Sequence, residues 1–343
     1  MYDMGFRNIR YVRLQFKLVI TEGTAMPKNK NSALRGGMGE MLLRAHCIRD
    51  RECQACDFES ECIVRRTMYS KMELQPVFMT AGDSVGYVID CADHRERFYA
   101  GDELEFYLTL FGKTIVYFSQ FLNAFYALGR EGIGKNHSRF EIIAVNNSTG
   151  QPILDGMNVI MNNYRVEVLG NYIDYRMRRL GVEAPDQQDK AVYEGEGEWK
   201  DVEAFEYEAI EDEALLYQMS LHFRTPLTVK YHGEYIQDFD ILAIIEALKR
   251  RLYMLLCFEG VECDLMEWNP EHVPRAVSEE HYSVTVKRHS NRKKSNILLR
   301  GIEGNLTAVN IDRELLELML AGEITHIGKN TSFGFGGYKI NIT

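Results

Sequence analysis

The chain has 343 residues, 45% of them hydrophobic and 26% charged, with a net charge of −10. That composition is ordinary for a globular protein, and the length suits two modest cores. No apolar run approaches the roughly 18 residues of a membrane span and the amino terminus lacks a signal core, so the expectation is a cytoplasmic protein with no membrane partner; the acid excess argues mildly against nucleic-acid binding.

The first element is "IRYVRLQFKLVI" (Ile9 to Ile20), whose alternation of apolar and polar side chains predicts a half-buried strand. "SALRGGMGEMLLRAH" (Ser32 to His46) follows with helical spacing at Leu34, Met38, Met41, Leu42 and Ala45. Its glycines, Gly36, Gly37 and Gly39, leave room for another backbone or a ligand. Strands are then expected at "VGYVIDC" and "DELEFYLTLFG", a helix at "TIVYFSQFLNAFYALG", and a turn, "IGKN", leading into the strand "RFEIIAV". The order is that of a ferredoxin-like βαββαβ unit.

From Glu194 to Glu213 ten acids face one base, Lys200, which marks residues 183–213 as an acidic linker between a domain at 1–182 and another at 214–343. Beyond it the order recurs: strand "LYQMSLHF", helix "DFDILAIIEALKRRLYMLLCFEG", strands "HYSVTVKRH" and "NILLRGIEGNLTAV", and helix "RELLELMLAGE". A second "IGKN" then runs into "FGGYKINI". The repeated turn thus marks a repeated fold, and the class is α+β with tandem ferredoxin-like domains.

Four segments carry candidate chemistry. The second turn, "GKNTSFGFGGY", combines Lys329 with Gly334 and Gly336, and a glycine-rich loop of this kind can direct its amides at a phosphate; no Walker pattern is present. "KRHSNRKKSNILLR" holds six bases and no acid, with Arg288, Ser290, Arg292 and Lys293 as candidate phosphate contacts against the plainer alternative of a solvated hairpin tip. Cys47, Cys53, Cys56 and Cys62, spaced C-x5-C-x2-C-x5-C, suit a structural zinc, with an iron–sulfur cluster or unliganded thiols as alternatives; a closed four-thiolate site would leave no position for a catalytic water. His46, beside them, is open to three readings: a general base, a zinc ligand, or a capping histidine. The usual hydrolase motifs are missing.

Taken together, "LRGGMGEMLLRAHC", "GDELEFYLTLFG", "LGREGIGKNHSRFEI", "RHSNRKKSNILLRGIEGNL" and "HIGKNTSFGFGGYKI" resemble the CRISPR precursor-RNA processing endoribonucleases of the RAMP superfamily. The resemblance implies metal-independent cleavage of CRISPR repeat RNA, in which the 2′-hydroxyl attacks the adjacent phosphate to leave a 2′,3′-cyclic phosphate and a 5′-hydroxyl. It maps a catalytic histidine onto His46, with Tyr69 and Lys71 as assistants, and makes His137 a second candidate because the family's first loop often carries an arginine there. Repeat RNA is the implied partner, with other CRISPR effector or adaptation proteins beside it. The alternatives are a non-catalytic RNA-binding subunit of an effector complex and a zinc-dependent regulatory module.

Overall fold

A computed structural model describes the chain except for residues 1–4, 71, 80–84, 135, 156–157, 160–162, 183–214, 269, 291–294 and 343. The expected acidic linker and Lys71 therefore lie outside the described residues, as do Arg292 and Lys293.

The amino-terminal unit runs β1 (Arg10–Ile20), α1 (Asn31–His46), the short α2 (Ile63–Met68), β2 (Tyr87–Asp90), β3 (Glu103–Phe111), α3 (Phe118–Glu131) and β4 (Phe140–Asn146). Its antiparallel sheet has the order β2-β3-β1-β4, extended beyond β4 by two short strands. Alternation in β1 sends Val12, Leu14, Phe16, Leu18 and Ile20 into the core and leaves Arg13, Gln15 and Lys17 on the other face. Phe16 lies opposite Phe106 of β3 and stacks on it at 4.8 Å, and Phe125 of α3 closes over both rings.

The carboxy-terminal unit repeats this with β5 (Tyr217–Leu227), α5 (Ile241–Glu259), β6 (Arg275–Ser290), β7 (Ser295–Ile311), α6 (Arg313–Thr325) and β8 (Tyr338–Ile342), in the order β6-β7-β5-β8. The two sheets place corresponding strands identically, so the fold is a tandem pair of ferredoxin-like units. Asp240 caps α5 by accepting from Leu242 N and Ala243 N, and Asp312 caps α6 by accepting from Leu315 N. Gly260, at φ 87°, ends α5 in the left-handed region.

Both IGKN turns also share a backbone. Gly132 (φ 88°, ψ 154°) ends α3 and His326 (φ 57°, ψ 167°) ends α6; the next residue, Ile133 or Ile327, is buried, and Gly134 or Gly328 follows at positive φ. Glycine adopts such angles freely, whereas His326 is held there at a cost.

The cores do not divide where the chain does. Phe6, Ile9 and a fourth helix, α4 (Leu169–Arg179), pack into the carboxy-terminal core through Leu169, Ile173 and Met177. Glu323 of α6, fully buried, accepts from Arg176 (2.8 Å), Tyr172 and the Ile340 amide. Arg7 joins Asp174 to Glu317. The two units are thus bound by a buried, hydrogen-bonded ion network and by shared apolar surface. Among the described residues no helix is long and apolar enough to cross a membrane.

The glycines of α1 mostly serve packing. A β-carbon on Gly37 would lie 2.4 Å from Leu128 of α3 and one on Gly39 2.5 Å from Met68 of α2, while Gly36 faces open space. Gly36→Ala is expected to stabilise the protein by up to about 1 kcal/mol, because it removes backbone entropy at no steric cost. Gly334→Ala is expected to destabilise it by about 2–4 kcal/mol, from positive φ and from overlap with Asn31 and Ile89. Thermal and urea denaturation of both variants checks the pair.

Candidate RNA-processing site

The glycine-rich loop lies between the units. Thr331, Ser332, Phe333, Gly334, Phe335, Gly336 and Gly337 are all buried, and the short helical turn Thr331–Phe333 packs on β2 and on the start of α1. The loop's amides are used inside the fold: Lys329 N donates to Thr228 O, Phe333 N and Phe335 N to Asn330 O, Gly334 N to Thr331 O, Gly336 N to Pro226 O, and Gly337 N to Thr225 Oγ1. Gly336 is at φ 70°, and a β-carbon there would overlap Ile327 O. The reading of Gly334 and Gly336 as an amide cradle for phosphate is therefore corrected, since their donors are already satisfied and their surroundings filled. Lys329 is half-buried and keeps its side chain as a candidate contact.

Phe333 ties this loop to two arginines. The Arg35 guanidinium of α1 lies 4.2 Å from its ring centroid and that of Arg288, near the tip of the β6–β7 hairpin, 4.5 Å away. Phe333 and Phe335 also pack with Val286 and Leu299, which seats the hairpin on the loop. Ser290 lies at the hairpin's end, paired with Ser295 in the ladder. Burial and the Arg35 charge pull the pKa of Arg288 down. Arg35 and Phe333 were not singled out by sequence reasoning. Only the basic segment and the glycine loop gave a signal, and neither points to α1.

His46 closes α1 at its other end, about 24 Å from the first turn for a 16-residue helix. It is exposed and shares a cavity of about 350 Å³ with Cys47, Cys53, Cys56, Cys62, Arg49, Arg65 and Tyr117. Tyr69 caps α2 beneath Arg65 (5.1 Å) and lies near enough to Arg51 to raise its pKa, an effect smaller than that of Glu40. His137 sits in the first IGKN turn at φ 49°, its Nδ1 3.1 Å from Glu131 O; the Glu131 carboxylate pairs with Arg44 of α1. The structure thus gathers His46, the cysteines and Tyr69 in one neighbourhood and places Arg288 and Lys329 elsewhere.

The four thiols line one cavity, and Cys47 Sγ accepts from Arg51 N at 3.2 Å. Even so, among the described residues no three His, Cys, Asp or Glu side chains stand close enough to hold a metal. The expected closed zinc site is not formed by the side chains as placed, so spacing and placement disagree. Elemental analysis for zinc and iron and the melting temperature of Cys53→Ser with Cys56→Ser decide between them, bound metal in the wild type and a lower melting temperature in the variant being the outcome expected of a four-thiolate site.

At the domain junction Asp90, the last residue of β2, lies 3.9 Å from Arg13 and 3.6 Å from Arg224 of β5. His326, fully buried, meets Phe335 O through Nδ1 at 3.0 Å, and burial pushes its pKa down to about 4. A depressed histidine pKa means that the unfolded chain binds the extra proton, so its contribution to stability is present above pH ~6.5 and lost as pH falls toward ~4. The folding constant is expected to fall by up to about tenfold per pH unit in that window from this group. His326→Asn should flatten the dependence, as urea titrations at several pH values would show.

Comparison with solved structures concerns the fold. Two chains described as a partial Cas6-RT-Cas1--Cas2 complex and a Cas6-RT-Cas1--Cas2 complex each match 98% of this chain at TM-score 0.52 and 11% identity. This chain spans 46% and 29% of their respective lengths. A third, a Cas6 product complex, matches at TM-score 0.49 and 12% identity over 97% of this chain and all of its own. No curated protein matches the sequence. Residues 221–338 match the family described as CRISPR-associated endoribonuclease Cas6, and residues 9–167 match a family described as an AF_1859 N-terminal domain. The carboxy-terminal unit is thus similar to the family of CRISPR-associated Cas6 endoribonucleases over residues 221–338.

Proposed function

We propose that this protein binds CRISPR repeat RNA along α1 and cleaves it once per repeat by attack of a ribose 2′-hydroxyl on the adjacent phosphate. The observation that carries the reading is the family match across residues 221–338, a stretch that contains both the basic hairpin and the loop bearing Lys329. Arg288, Arg35 and Lys329 supply charge for the backbone at one end of α1, and the neighbourhood of His46 supplies the chemistry at the other.

In-line attack needs a base at the 2′-hydroxyl, a donor for the leaving 5′-oxygen and cations for the charge that develops on the phosphoryl oxygens. His46 takes the 2′-hydroxyl proton. Arg49 and Arg65, in the same cavity wall, face the phosphate. Tyr69 and Lys71 stand as assisting groups. The reaction routes no step through a metal, and the products are a 2′,3′-cyclic phosphate and a 5′-hydroxyl. Adaptation proteins of the kind named in the matched complexes are the natural neighbours of such a chain.

Incubation with repeat RNA in excess EDTA should give a cyclic-phosphate product. Stable binding without cleavage would identify an RNA-holding subunit instead. His46→Ala is expected to keep RNA affinity and slow cleavage by about 10²- to 10⁴-fold. His137→Ala is the paired control, and loss of cleavage in that variant alone would move the centre to the first IGKN turn.

A further inference from the structure

We infer that the cavity beside His46 is a nucleobase pocket, which takes one unpaired base of the RNA next to the cut, stacks it on Phe58 and Tyr117 and meets its edge with Gln120. It rests on the RNA-cleavage reading above and adds to it what fills the cavity and which side chains hold it.

The cavity is a product of what stands between α1 and β2. A βαββαβ unit needs only a short connection there, whereas this chain inserts residues 47–62 and the short α2. Ile48, Phe58 and Ile63 form one side of the space, and Tyr117 and Gln120, at the start of α3, form the other. Its volume of about 350 Å³ is in the range of small-molecule sites.

Three observations point to a base as the occupant. First, Ile48 and Phe58 line the cavity and yet stand 67% and 58% exposed, so large apolar side chains are left in water around a concave surface. Second, two of the lining residues are aromatic, and the Tyr117 hydroxyl accepts from Arg66 at 3.3 Å, which orients its ring. Aromatic rings hold unpaired bases by stacking, because every base has a π-face. Third, Gln120 Oε1 and Arg65 Nε, an acceptor and a donor on the same cavity, are both buried with no hydrogen-bond partner among the described residues. Each such atom costs free energy until a partner arrives, and the edge of a base carries a donor beside an acceptor. With the base seated, His46 and Arg49 of the same cavity face its ribose and phosphate.

The test uses the full chain and a repeat RNA made non-cleavable by a 2′-deoxy substitution, so that binding is read without the reaction. Removing the base on the 5′ side of the scissile phosphate, or in a second RNA the base on its 3′ side, should weaken wild-type binding about tenfold at one of the two positions. Phe58→Ala and Gln120→Ala should each weaken binding of the intact RNA and lose nothing further with that abasic RNA, since the group they contact is gone. Phe58 is exposed and the Gln120 amide makes no hydrogen bond among the described residues, so both variants should melt near the wild-type temperature. An abasic substitution that costs nothing at either position, or losses that simply add, overturns the pocket. So does a lower melting temperature with unchanged affinity, which is the signature of packing alone. Coupled losses in binding with an all-ribose RNA left uncut would keep the pocket and remove the cleavage reading; cleavage without coupling would keep that reading and remove the pocket.

Discussion

The seat of Gly334 is the constraint on which the rest depends. At φ 77°, with Asn31 Nδ2 and Ile89 O within 2.6 Å of where a β-carbon would stand, it brings the loop of the second unit against the first helix and edge strand of the first. Asn31 is fixed in turn, because its Oδ1 accepts from Cys91 N at 2.7 Å. Once that approach is made, Phe333 falls beside Arg35, and the hairpin packed on Phe333 brings Arg288 with it. The positions of all three follow from a side chain that is missing.

Charge then acts around this contact. Where the units must hold together, buried carboxylates are paired with partly buried cations: Glu323 with Arg176, Glu317 with Arg7, which also reaches the half-exposed Asp174, and Asp90 with Arg13 and Arg224. Breaking one partner of such a set leaves an uncompensated buried charge, which costs far more than the pair contributes. These satisfied networks fix the domain geometry.

The fold was legible in the sequence because its signals are local. Alternation in Ile9–Ile20 and the helical spacing of Leu34, Met38, Met41, Leu42 and Ala45 each report on a few neighbouring residues, and the order of such elements names the topology. The site was less legible because its parts meet only in three dimensions. The glycines of the second turn suggested a phosphate cradle, yet the same property, tolerance of positive φ and of close backbone approach, serves equally to bury a loop. Nothing local marks Arg35, since no pattern announces that a hairpin some 250 positions away in sequence will reach it. The cysteines were visible as a spacing, and spacing alone does not bring side chains together.

The repeated turn explains how a duplicated fold acquired different uses for equal parts. In the first unit Gly132 ends the helix without strain, and the turn stays at the surface with His137 exposed. In the second, His326 occupies the equivalent angles, which disfavour any side chain, and its ring is buried against Phe335 O and within the field of Asp90. A strained, buried imidazole persists only where the surroundings over-determine it. Here the surroundings come from both copies of the fold, Phe335 O and Gly337 from its own and the charges of Asp90 and Arg13 from the other, so the strain at His326 is the local cost of placing a surface turn at the interdomain joint. Among the described residues the first turn shows no such surroundings and keeps the glycine.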